Sequence, residues 1–316
     1  MSGKRRILML NYSRRSLGEF ASVKIREMLL SPLRKNILFS LLLMIANLSF
    51  AQNFSWTKGT SGAGESEPSS VWADSSGQVL VTGRFNNTSV FDTISLTSAG
   101  NDDVFIAKYN AAGHVVWAQG QGCPNPDGGN FVCGDAAGNA IVTGVDGSTG
   151  VPFVFISKYD LHGNLLWRKI AGGNPGAVGS SVCTDPSGNI YITGYFACSP
   201  LVFDTVSINN HGITNAFLFK FDGNGNAIWG KCIGGSNYDY GYAVIADHSG
   251  NIFLTGDFGS PSLTLGTFVL NNAGQNDIFL VKYSPSGNVL WAKGVGGSIM
   301  VSVVRTGFQS KIVVMM

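Results

Sequence analysis

The sequence predicts an all-β chain made of a repeated four-stranded unit, and three observations predict it. The stretch DPSGNIYITG (185–194) recurs as DSSGQVLVTG from Asp74, DAAGNAIVTG from Asp135 and DHSGNIFLTG from Asp247. Each copy also carries a second turn of the same chemistry: NAAG from Asn110, DLHG from Asp160, DGNG from Asp222 and SPSG from Ser284. The spacing of the landmarks is fixed, with 18 residues from Trp to turn Asp (56 to 74, 117 to 135, 167 to 185, 229 to 247) and eight from that Asp to the Thr of a Thr-Gly pair. Asp at the first turn position and Gly at the fourth, followed by an alternating β-branched run, read as a type I turn that feeds a strand.

Residues 1–51 differ in kind from the rest. Arg34 and Lys35 precede the apolar run ILFSLLLMIANL (37–48), which ends in Ser49-Phe50-Ala51. This is the pattern of a signal peptide with a basic leader, cleaved after Ala51, with Met28 as an alternative start. Twelve apolar residues are too few to cross a bilayer core of ~30 Å, so no integral span is expected once the signal is removed. Of 21 Lys/Arg and 19 Asp/Glu, nine and two lie in residues 1–51, which leaves 12 and 17 and a net charge of −5. A mildly acidic body without basic runs argues against nucleic acid and anionic membrane as partners.

Residues 52–298 hold the repeats, and the first copy divides into the strand-like runs SSVWAD, QVLVTGRF, DVFIAKYN and HVVWAQG. From the Gly of the Thr-Gly pair to the next landmark aromatic there are 22, 23 and 23 residues after Gly83, Gly194 and Gly256, but only 11 after Gly144. The second copy lacks the segment that corresponds to 89–100, 201–212 and 261–272. A segment that one copy lives without reads as a peripheral hairpin or loop, so deleting 201–212 is expected to leave folding nearly intact. Two tight antiparallel hairpins in a unit of about 50 residues are the signature of a β-propeller blade, with four complete repeats here and partial blades at the ends.

The run of GNIYITG, DIFLVKY and SPSGNVLWAKGVGG resembles the bacterial β-propeller repeats called SBBP repeats. The resemblance covers residues 54 to about 298 and rests on Asp-x-x-Gly-Asn, Thr-Gly, Lys-Tyr and Trp recurring in order. It implies a propeller of surface or secreted type, found in exported proteins notably of Bacteroidetes, and it brings no catalytic motif. Residues 299–316 lack the landmarks, since Gln309 stands where a turn Asp is due. They read as an irregular tail, the remnant of a truncated or frame-shifted fifth repeat.

The candidate chemistry is sparse. The turn aspartates are accounted for as caps of their own turns. Asp222-Gly-Asn224-Gly-Asn226 resembles part of a calcium loop but lacks the downstream bidentate Glu, so no metal or other cofactor is expected. Lys108, Lys158, Lys220 and Lys282 read as stems laid along apolar surface with their ammonium groups in water. The Trp series reads as packing between neighbouring units. Cys133 and Cys183 share a core position with Trp72 and Ile245, and one bridge among Cys123, Cys198 and Cys232 is the only disulfide considered. His114, His162, His211 and His248 share no motif spacing, and the Gly-x-Ser-x-Gly elbow is absent, so the chain reads as non-enzymatic. One connection stands out: SNYDYGY (236–242), where Asn237, Tyr238, Asp239 and Tyr240 suit contact with a protein or a glycan. Its alternative reading is that one or two of these tyrosines begin the next inner strand. The function expected is a binding or scaffold module at the cell surface or outside the cell; the alternative is a propeller hydrolase or lyase of polysaccharide.

Overall fold

Each Asp-x-x-Gly turn closes a hairpin, and the hairpins join into four antiparallel four-stranded sheets. The computed structural model describes residues 56–173, 176–197 and 199–297, with the backbone of a short pairing between Arg305–Thr306 and Gln309–Ser310. The expected signal (1–51), Cys198 and nearly all of the tail lie outside the described residues. Sheet 1 runs Ser66–Ala73, Val79–Phe85, Asp103–Tyr109 and Val115–Gln121; sheet 2 runs Gly128–Gly134, Ala140–Asp146, Phe153–Tyr159 and Leu165–Ile170. Sheet 3 runs Ala177–Thr184, Ile190–Phe196, Asn215–Phe221 and Ala227–Ile233; sheet 4 runs Asp239–Ala246, Ile252–Phe258, Asp277–Tyr283 and Val289–Val295. In every sheet the spatial order is the chain order, a simple meander. First strands of successive sheets lie against one another, 1 on 2, 2 on 3 and 3 on 4, so the array is propeller-like.

The turn residues do what their chemistry dictates. At Asp185, Oδ1 accepts the N–H groups of Ser187 and Asn189 at 2.9 Å each, and Oδ2 accepts the Asn189 side chain. Asp74, Asp135, Asp160, Asp222 and Asp247 cap their turns in the same way. The fourth residue, Gly188, sits at φ 78°, in the left-handed region that a side chain would strain.

The Thr-Gly pair has two separate causes. Thr82, Thr143, Thr193 and Thr255 each donate a hydroxyl to the carbonyl of the landmark Phe on the third strand, at 2.6–2.8 Å. The following Gly faces a β-bulge in the first strand, which in sheet 3 falls between Gly179 and Ser181. The bulge drives the Val178 carbonyl to where a Cβ on Gly194 would stand.

Neighbouring sheets are locked by their turns. Trp56, Trp117 and Trp167 lay their indoles on Gly113, Gly163 and Gly225 of the next sheet's second turn. Their Nε1 atoms donate to the carbonyls of Ala111, Leu161 and Gly223 at 3.2, 3.0 and 3.4 Å. The Trp series is therefore packing between units, as its spacing implied. The lysines depart from expectation. Lys108, Lys158 and Lys220 are buried, and their ammonium groups donate to Gly138, Gly223 and Pro285 at 3.3, 3.1 and 3.0 Å, across to the next sheet. Lys158 also pairs with Asp135 at 2.9 Å, and Lys282 with Asp247 at 3.5 Å. The physical reason is that a tight turn leaves carbonyl oxygens its own hairpin does not use, and a buried ammonium needs acceptors.

The optional segments are hairpins, but they are not decoration. They span Thr88–Phe91 with Ile94–Thr97, Leu201–Phe203 with Val206–Ile208, and Ser262–Leu265 with Phe268–Asn271. Each lies against the outer strand of its sheet. Leu201, Phe203 and Ile208 are buried in the core, with the Phe203 ring 5.1 Å from both Phe219 and Phe221. Sheet 2 does without a hairpin because it fills the same space differently. Its second strand ends in Asp146 where sheets 1, 3 and 4 have Phe85, Phe196 and Phe258, and Arg168 pairs with Asp146 while its guanidinium lies 5.0 Å over the Phe155 ring. Spacing showed where the hairpin sits in sequence; it did not show that it carries core side chains.

The shared position of Trp72, Cys133 and Cys183 faces the following sheet, and Ile245 holds it in sheet 4, after which no further sheet is described. Trp72 contacts Gly134, Cys133 packs in the core of sheets 2 and 3, and Ile245 is 62% exposed. Cys123 and Cys232 are free thiols, so no bridge joins them, and burial pushes the Cys232 thiol up to about 12.

Candidate functional site

The meander gives the array two unlike ends. One end carries the eight tight turns, which are closed by their own N–H groups and, at Ala111, Gly138, Leu161, Gly223 and Pro285, also accept hydrogen bonds from a neighbouring tryptophan or lysine. The other carries the longer connections between second and third strands and the links from one sheet to the next. The segment 236–242 runs from such a link, between sheets 3 and 4, into the first strand of sheet 4.

Asp239 does not present itself to a ligand. It is buried, its Oδ2 accepting Gly235 N–H at 2.8 Å, the Ser260 hydroxyl at 2.7 Å and the Asn215 amide at 3.2 Å. Asn237 is likewise tied down, its N–H to Ser260 and its amide to the Gly259 carbonyl at 3.1 Å. These two residues shape the link. The main chain here is also occupied: Thr214 N–H donates to Asn237, Gly259 N–H to Tyr238, and Asp239 N–H to Thr214.

The tyrosines are a different matter. Tyr240 and Tyr242 belong to the first strand of sheet 4, and Tyr238 immediately precedes it. Because alternate residues of a strand share a face, the three rings form a ladder. Tyr238 and Tyr240 are 6.4 Å apart with planes 8° from parallel; Tyr240 and Tyr242 are 6.2 Å apart at 3°. Tyr195, from sheet 3, meets Tyr240 edge-on at 4.9 Å and 79°. Tyr238 is 46% exposed. The Tyr242 hydroxyl donates to Asp257 Oδ2 at 3.1 Å. Burial raises the Asp257 pKa, an effect its hydrogen bonds from Tyr242 and Asn276 oppose and the nearby Asp239 reinforces. Burial also raises the Tyr240 phenol, with Tyr195 and Asp257 adding to it.

Sequence reasoning found Tyr238 and Tyr240 but missed Tyr195 and Asp257, which lie on other strands. Asp257 pairs with Tyr240 in the sheet register, and Tyr195 holds the same register position in sheet 3. The weak calcium-loop candidate has its oxygens engaged: Asp222 Oδ1 accepts Asn224 and Asn226 N–H, and Oδ2 accepts the Asn226 amide. Among the described residues no three His, Cys, Asp or Glu side chains come together as a metal site.

No family model matches the sequence. Over 100 residues the chain is 31% identical to an uncharacterized WD repeat-containing protein, L264, of Acanthamoeba polyphaga mimivirus; the match covers 30% of this chain and 7% of that protein. The likeness is to a repeat protein, in agreement with the repeated four-stranded sheets.

Proposed function

We propose that the chain is an exported β-propeller of the SBBP type, its sheets being blades, and that it serves as a non-catalytic binding or scaffold module at the cell surface or outside the cell. The observation that carries this reading is how the chemically capable side chains of the repeat are used. Turn aspartates cap their own N–H groups, while the tryptophans and most strand lysines hold the next sheet. The end with the longer connections is thereby the surface that varies from copy to copy, and surface loops on a rigid frame are where recognition concentrates. The signal-like leader supports export. The test is to produce the full chain in a bacterial host, fractionate the cells and determine the N-terminal residue of the product. The reading expects a chain that begins at Gln52 in the exterior or periplasmic fraction and releases no sugar from polysaccharide. An uncleaved chain retained inside the cell would overturn export, and reducing-sugar release would favour the hydrolase or lyase alternative.

A further inference from the structure

The repeat supplies its own control for the tyrosine ladder. The positions of Tyr238, Tyr240 and Tyr242 are filled by Glu65, Glu67 and Ser69 in sheet 1, by Pro126, Gly128 and Asn130 in sheet 2, and by Gly176, Val178 and Ser180 in sheet 3. The Tyr195 position is Arg84, Val145 and Asp257 in the other sheets. None of the equivalents is aromatic, so the frame is built three times without a ladder. Four tyrosines gathered at one junction answer to something other than folding.

We propose that this junction, Tyr195 with Tyr238, Tyr240 and Tyr242, binds a neutral carbohydrate chain. The inference rests on the binding-module reading and names its ligand class. Parallel aromatic faces with hydroxyls at their rims match a sugar ring, which offers C–H groups on its faces and hydroxyls around its edge. Charge points the same way: Asp257 and Asp239 disfavour negative charge at Tyr240, and would disfavour an anionic ligand beside it. An extended peptide is the less suited occupant, because strand addition needs free main-chain groups, and the carbonyls of Asn237 and Tyr238 and the N–H groups of Asn237 and Asp239 are already paired within the protein.

Affinity electrophoresis of the full chain through gels containing a soluble β-glucan, a mannan, a galactan or an anionic polyuronate tests the proposal. Retardation is expected in at least one neutral gel. Tyr238→Ala should weaken it at least tenfold with an unchanged melting temperature, since that ring is exposed, and Ile245→Ala should leave it unaltered. Retardation in no neutral gel, in the polyuronate gel alone, or undiminished by Tyr238→Ala would overturn the proposal. Capture of a peptide from a display library through the same tyrosines would overturn the carbohydrate assignment while leaving the binding-module reading intact.

Discussion

Asp103 and Asn215 hold the same register position, the first residue of a third strand, and differ by one atom type with a measurable consequence. Asn215 Nδ2 donates to the carbonyls of Thr214 and Gly235 and to Asp239. Asp103, 2% exposed, presents an oxygen instead: its Oδ2 accepts Ala99 N–H at 2.6 Å, and its Oδ1 has no partner. Burial raises the Asp103 pKa, Ala99 opposes, and Asp127 and Asp102 add to the rise. The folded state therefore holds this proton more tightly than the unfolded chain. Below about pH 3.9 the group costs nothing; as pH climbs from there through the elevated native value, stability is lost, and the loss is complete above it. Asp103→Asn should remove that decline and raise stability at pH 7 by roughly 1–3 kcal/mol, the usual cost of an unmet buried acceptor. Urea unfolding at pH 4 and pH 7 checks it; a variant no more stable than the parent at pH 7 sinks the account.

At the scale of the element, the hairpins and the Trp-x-Lys motif explain each other. Lys58 pairs with Asp92 at 2.8 Å, and Lys169 pairs with Asp204, each Asp lying at the tip of the next sheet's hairpin. The same aspartates accept the first N–H of the outer strand, from Val115 and Ala227. Where the next sheet has no hairpin the motif reads Trp117-Ala-Gln119, and where the hairpin tip is Gly266 the ammonium of Lys231 lies over Trp229 instead. Removing residues 201–212 should accordingly destabilise the protein by about 3–5 kcal/mol, the range for losing a buried Phe, because sheet 3 has Phe196 and Gly230 where sheet 2 has the Asp146 and Arg168 that fill the gap. An unchanged urea midpoint in the deletion variant would show the hairpin to be dispensable after all. The hairpins' positions were legible in the chain because spacing counts residues. Their load was not, because Phe203 and Phe221 are brought together by packing of the hairpin on the sheet, and Lys169 and Asp204 are 35 residues apart.

Across the whole molecule the repeat made the fold readable, since turn chemistry, strand alternation and constant spacing all specify one meander. The site was only half readable: Tyr238 and Tyr240 sit in one stretch, whereas strand pairing places Asp257 beside them and the packing of sheet 3 on sheet 4 brings Tyr195. Of the inter-sheet contacts only the Trp packing was visible; those that depend on close approach rather than on residue type were not. Gly179 shows this. A Cβ there would collide with Thr143 Oγ1 of the preceding sheet. Gly179→Ala should push sheets 2 and 3 apart and cost about 1–3 kcal/mol, as overpacking does. In combination with Thr143→Ala the losses should add to less than their sum, which a double-mutant cycle reads directly; strict additivity would mean the two sheets adjust independently.

The two ends of the array also differ in what an engineer can ask of them. At the tight-turn end several connections are held from outside as well as from within: the Gly223 carbonyl alone receives both Lys158 and Trp167 from the neighbouring sheet. Lengthening such a turn by even one residue withdraws an anchor from the next sheet. At the other end nature has already performed the insertion experiment, since the interval from Gly144 to the next landmark Phe is 11 residues and its counterparts are 22 or 23. A foreign epitope or a reporter peptide belongs at 148–151, where the chain turns back through an exposed loop and no neighbouring sheet is waiting for its carbonyls.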